Sequence, residues 1–134
     1  RQLACLNPNE QAVVRVLPHC EQIEDYFLAA DIMASSARVE AFPKVIQEGM
    51  YFRLPMLVTP VFGVNEQVTD EVSALFFPVG DSMQFAKQLE RLVRDEHLRT
   101  RLSQNAHDSL GRFPDVTAMG REYLKLIREA WLSS

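Results

Sequence analysis

The chain has 134 residues, 47% of them apolar and 24% charged, with a formal net charge of −4. That is the composition of one modest globular domain. No apolar run approaches the roughly 20 residues a membrane-spanning helix needs, and no basic stripe marks a nucleic-acid surface, so nucleic acid is not an expected partner.

Cys5 and Cys20 are too few for a disulfide framework and lack metal-ligand spacing. Their usage points to a reduced, cytoplasmic setting. His19 lies beside Cys20 without a second Cys/His cluster, and no metal site is expected. The first residue is Arg1, not Met, so the chain reads as a processed product or an excised piece.

Asn7-Pro8-Asn9 reads as a turn. Val13 to Leu17 is a β-branched run closed by Pro18 and reads as a strand. Residues 21–30 read as a helix with Ile23, Tyr26, Phe27 and Ala30 on one face. Asp31 to Ser35 is a second strand, whose small end, Ser35-Ser36, leaves room above a sheet. A helix follows over 43–53, started by Pro43 as its first residue, where the missing N–H is no loss. Met56 to Thr59 has the length of a buried strand.

Residues 61–73 read as an irregular loop, and Ala74 to Val79 as a fourth strand. Asp81 caps a helix over 82–94, with Gln84 completing a capping box and Phe85, Leu89, Leu92 and Val93 as its buried stripe. Another helix runs from about Glu96 to Leu110, ended by Gly111. The last spans about 115–132, with Met119, Tyr123, Leu126, Ile127 and Ala130 inward. His97 and His107 fall on polar helix faces. The fold class expected is therefore α/β: a partial Rossmann-like parallel sheet of about four strands flanked by helices, with a helical C-terminal third. In such sheets ligands sit outside the carboxyl ends of the strands. Ser35 to Phe42, Thr59 to Glu66 and Val79 to Asp81 should line that edge.

The stretch from Arg38 to Gln67, RVEAFPKVIQEGMYFRLPMLVTPVFGVNEQ, holds the chemistry. A helix start near Ala41 to Lys44 presents unpaired N–H groups and the positive end of a dipole, suited to a phosphate. Glu40 lies before that start and Glu48 within the helix. Carboxylates do not bind phosphate, but they accept hydrogen bonds from hydroxyls. Phosphate donors flanked by such acceptors suit a diphosphate between two polyols, as in a nucleotide sugar. Phe42, Val45, Ile46 and Met50 read as core side chains.

Glu-Ala-Phe-Pro-Lys-Val-Ile-Gln-Glu-Gly-Met, then Leu-Pro-Met-Leu-Val-Thr, then Gly-Val-Asn-Glu-Gln-Val resembles the donor-site signature of the GT-B glycosyltransferases of the retaining "glycosyl transferases group one" family. The similarity extends upstream to Tyr26 and downstream to about Phe113. The resemblance implies that this chain is the latter part of a C-terminal nucleotide-sugar-binding domain. Glu40 matches the catalytic-site glutamate that contacts the transferred sugar, and Glu48 the one that holds the ribose. The backbone of Phe42, Pro43 and Lys44 would face the sugar and phosphates, and Glu66 matches a further acidic position. It also implies transfer with retention, by front-face displacement assisted by the leaving phosphate, without a metal ion or other cofactor. A full-length parent would be cytoplasmic, with peripheral membrane association left open.

The chain departs from the family pattern in several places. By the resemblance, the basic pair that grips the diphosphate, the N-terminal acceptor domain and the first two strands of the nucleotide domain are expected to lie outside this stretch. Arg53 stands where a small residue is usual, and Phe62 where a glycine is common. The bare edge of Ile32 to Ala34 therefore invites a homo-oligomer. A glycoside hydrolase is set aside because Glu48 lies within a helix facing the nucleotide side. A phosphoacceptor receiver domain lacks its clustered acids. A non-catalytic nucleotide-binding or protein-interaction module remains the alternative.

Overall fold

The computed structural model describes residues 7–132 and pairs three short apolar segments into a sheet. In chain order the elements are α1 (Pro8–Val13), α2 (Ile23–Ala29), β1 (Met33–Ser35), α3 (Lys44–Tyr51), β2 (Met56–Val58), α4 (Phe62–Gln67), β3 (Leu75–Phe76), α5 (Ser82–Arg94), α6 (Glu96–Asp108), a 3-10 turn (Ser109–Arg112) and α7 (Val116–Leu132). The strands form a parallel sheet in the order β1-β2-β3. Met33 pairs with Met56 and Ser35 with Val58, while Leu57 pairs with Leu75.

The central strand decides the layering. Met56, Leu57 and Val58 are fully buried, as a parallel strand covered on both faces must be. Met56 and Val58 join Ile46 and Met50 of α3 in one core. Leu57 faces the other way, into a core with Leu75, Leu92, Leu98 and Leu102 from β3, α5 and α6. The alternation of side chains along one three-residue strand thus divides the helices between two faces. Asp81 and Asp95 cap α5 and α6 by accepting the backbone N–H of Gln84 and Leu98.

Several expectations are corrected. The sheet has three strands among the described residues, not four, because residues 13–17 form no strand. Asn7 and Glu10 instead build a reciprocal capping box around Pro8 and start α1. Val14 to Leu17 then runs on exposed with no strand beside it, and a β-branched run without a ladder partner has nothing to pair its backbone. The loop expected over 61–73 contains α4. Pro43 is the N-cap of α3 rather than its first residue, with ψ at 122°. Val93 is exposed, as are Phe42 and Val45. Gly111 sits inside the 3-10 turn. His107 is half-buried, with Nδ1 3.2 Å from the Met50 carbonyl oxygen. Cys20 is half-buried, and Cys5 lies outside the described residues.

The largest correction concerns α7. None of its residues is buried, and Met119, Tyr123, Leu126, Ile127 and Ala130 are exposed rather than inward. The helical period identified the apolar face correctly, but periodicity states only which side could be buried, not what covers it.

Candidate functional site

The segment after β1 is held at the carboxyl edge of the sheet by β2 and α4. The Thr59 backbone N–H donates to the Ser35 carbonyl at 3.1 Å, and its buried hydroxyl donates to the Ala37 carbonyl at 2.5 Å. The Gly63 N–H donates to the Glu40 carbonyl at 3.4 Å. Gly63 must be glycine here: a Cβ on it would lie 1.7 Å from the Ala41 oxygen and 2.7 Å from the Phe42 Cα. Backbone thus packs directly on backbone, and the Glu40–Pro43 turn is fixed against the first turn of α4.

Pro43 is buried and Lys44 exposed. No side chain caps the start of α3. The Ile46 N–H is satisfied by the Pro43 carbonyl, which leaves the Lys44 and Val45 amides at an open helix end. Glu40 is exposed just ahead of this end, and Glu66 is exposed on α4. Glu48 is half-buried on α3, where it lines a hollow of about 340 Å³ with Lys44, Gln47, Tyr51, Phe52 and Leu110.

A separate groove of about 410 Å³ opens above the sheet between the end of β1 and the start of α5. Ala34, Ser36, Arg38, Gly80, Asp81 and Phe85 are among its lining residues. The room predicted above Ser35-Ser36 is therefore present. The structure does not gather Glu40, Glu48 and Glu66 into one enclosed cavity. Glu40 lies in the turn before α3, Glu48 on α3 itself and Glu66 on α4. Among the described residues, no three His, Cys, Asp or Glu side chains are placed to hold a metal ion.

Sequence reasoning missed the residues that fix these segments. Phe42, though 45% exposed, meets Phe113 edge to face at 5.8 Å between ring centroids. Arg112 lies over Phe113, with its Cζ 4.9 Å from the ring centroid. The Arg112 guanidinium also donates to the carbonyls of Glu66, at 3.1 Å, and Gln67. The signal available in the sequence was the Arg-Phe-Pro that closes the 3-10 turn. Elsewhere, Glu71 and Arg91 form a two-pronged ion pair at 2.6 and 3.0 Å. The hydrogen bond from Arg91 holds the Glu71 carboxyl below its ordinary 4.5.

A parallel sheet with helices on both faces and an open helix start at its carboxyl edge is the architecture of an open α/β domain, in which ligands sit outside the carboxyl ends of the strands. The chain belongs to the family "Glycosyl transferases group 1", whose model matches residues 2–109. It is 34% identical over 103 residues to the lipopolysaccharide core biosynthesis glycosyltransferase LpsE of Rhizobium meliloti, covering 75% of this chain and 30% of that protein. It is 27% identical over 117 residues to a Campylobacter jejuni α-1,4-N-acetyl-D-galactosaminyltransferase acting on an undecaprenol-linked glycan, covering 87% and 32%. The chain thus spans about a third of the length of these relatives.

Among solved structures, a glycosyltransferase from Rickettsia africae superposes with a TM-score of 0.81 at 17% identity, over 94% of this chain and 34% of that one. Anabaena HepE in complex with UDP-glucose superposes with a TM-score of 0.71 at 23% identity, over 80% and 30%. These likenesses bear out the α/β fold and its GT-B type.

Proposed function

We propose that the chain is the nucleotide-sugar-binding part of a glycosyltransferase that moves a sugar from a nucleotide diphosphate to an acceptor hydroxyl. The observation that carries this reading is the uncapped start of α3, flanked by Glu40 and Glu48, in a member of this family. The amides of Lys44 and Val45 face the diphosphate, where fixed donors and the helix dipole stabilise negative charge. The Lys44 ammonium adds to that field. Glu48, in its half-buried hollow, accepts hydrogen bonds from the ribose hydroxyls. Glu40 accepts from the hydroxyls of the transferred sugar, and the backbone of Phe42 and Pro43 forms the floor beneath it. Glu66 approaches the same opening from α4.

In the transfer, the bond between the anomeric carbon and the phosphate oxygen breaks. A bond from the acceptor oxygen forms on the same face of the sugar, and the acceptor proton passes to the leaving phosphate. Fixed donors at the phosphate supply the main stabilisation, because charge develops there in the transition state. Glu40 orients the sugar and does not attack it. No metal ion enters this scheme. That Anabaena HepE is a complex with UDP-glucose supports a uridine nucleotide as the first probe.

Calorimetry with UDP tests the reading. Binding in the millimolar range, about −4 kcal/mol, is expected, with a loss of measurable heat in Glu48→Ala. An affinity unchanged by Glu48→Ala refutes the ribose role.

A further inference from the structure

Two short segments carry the proposed donor contacts, and one neighbouring pair of residues touches both. The first segment is the Glu40–Lys44 turn, whose Phe42 ring packs edge to face on Phe113. The second is α4, which carries Glu66 and has only six residues. So short a helix cannot hold its own end, because its last carbonyls have no intrahelical donors. The Val64 carbonyl is satisfied by the Val68 N–H. The carbonyls of Glu66 and Gln67 are satisfied by Arg112. A cation placed on the terminal carbonyls of a helix also complements its dipole.

Arg112 does this while its guanidinium lies over the Phe113 ring. Each residue of the pair thereby restrains the other. The Phe113 N–H donates to the Leu110 carbonyl at 3.0 Å, which closes the 3-10 turn, and Leu110 lines the hollow that holds Glu48. The family match stops at residue 109, so this pair lies beyond the matched segment.

We infer that Arg112 and Phe113 are positioning residues that set the spacing between the Glu40–Lys44 turn and α4, and so the shape of the donor site. This rests on the donor-binding reading above. The pair touches no ligand in the scheme; it acts through Phe42 and through the end of α4. The two segments meet at the Gly63 N–H and the Glu40 carbonyl. Without the pair, that contact is the first to open.

The experiment uses the chain as it stands, with UDP as probe. Arg112→Ala and Phe113→Ala are compared with Arg112→Lys, Phe113→Tyr and Arg91→Ala. The last removes an ion pair on the opposite core face and reports any general loss of stability. Backbone amide exchange at Gly63 is followed by NMR, together with UDP affinity by calorimetry. Arg112→Ala should speed Gly63 exchange by about tenfold or more, the factor expected for losing hydrogen bonds from a charged group, and Phe113→Ala by about two- to tenfold, the factor for one aromatic pair. UDP affinity should fall in parallel. Phe113→Tyr, which keeps the ring, should restore both, and Arg112→Lys should restore exchange in part. Arg91→Ala should leave Gly63 exchange within twofold of the parent.

Gly63 exchange unchanged in Arg112→Ala and Phe113→Ala overturns the inference, as does an equal change in Arg91→Ala. Should the parent chain fail to bind UDP, the donor reading falls, while the exchange measurements still decide whether the pair positions the turn.

Discussion

Replacing Gly63 with alanine probes a close backbone-on-backbone approach. The added Cβ would lie 1.7 Å from the Ala41 oxygen, against an ordinary contact of at least 3.4 Å. Backbone must therefore move by well over an ångström. Neither side is free to yield, since the turn is tied through Ala37 to Thr59 and α4 is held at its end by Arg112. Forced overpacking costs about 1–3 kcal/mol, with rigid neighbours at the upper end. Alanine gains about 1 kcal/mol over glycine in a helix, which offsets part of this. A net loss of about 2 kcal/mol follows, or about 6–8 °C in Tm for a chain of this size.

Gly49→Ala is the matched control. Its Cβ would meet the Met33 and Met56 sulfurs at 2.5 and 3.0 Å, the flexible ends of side chains that repack readily. Thermal melts of both variants should show a large loss for Gly63→Ala and little change for Gly49→Ala, and only Gly63→Ala should also abolish UDP binding. Equal melting temperatures for Gly63→Ala and the parent would refute the argument that backbone contact fixes the turn.

Three further outcomes are expected. In a full-length enzyme containing this chain, Glu40→Ala and Glu48→Ala should each lower kcat/KM by about a hundredfold or more, whereas His97→Ala should not; steady-state kinetics decides it, and full activity in either glutamate variant refutes the roles given. Because the folded-state value of Glu71 is depressed by Arg91, its ion pair adds stability above the ordinary carboxylate value of 4.5 that is lost as pH falls through the lowered one. The contribution is at most about 1 kcal/mol for so exposed a pair; urea melts at pH 7 and pH 3 should show a smaller acid loss in Glu71→Gln, and identical losses would sink the assignment. Finally, among the described residues β1 has a strand on one side alone, so light scattering at micromolar concentration should report association of copies; a monodisperse monomer contradicts that expectation.

Much of the local structure around the candidate site could be seen in the residues themselves. Glu40, Pro43 and Glu48 announced a helix start between carboxylates, and Asp81 and Leu92 announced α5, because caps and apolar periods are local signals. Residues 13–17 misled for the opposite reason. Valine-rich sequence specifies an extended chain, but only a neighbouring strand makes it part of a sheet. Arg53 shows a similar limit. It takes a left-handed φ of 56° and donates to Gln104 at 2.5 Å, so the position where a small residue is usual tolerates arginine by means of a partner 51 residues away. Arg112 and Phe113 were illegible because their meaning lies in carbonyls and a ring that are distant in sequence.

The plain order of the sheet has a consequence for how the chain is made. Each strand pairs with its neighbour in sequence, and each crossover, from Ser35 to Met56 and from Val58 to Leu75, is short. Loop closure over such distances costs little more than over half the length. As the chain leaves the ribosome, β1 and α3 can therefore wait only for β2, and β2 only for β3. The core then closes when Leu92, Leu98 and Leu102 arrive. The Glu40–Lys44 turn is synthesised early but gains its final shape late, when Gly63 and then Arg112 reach it, so binding competence should appear only after the chain has been extended past residue 113.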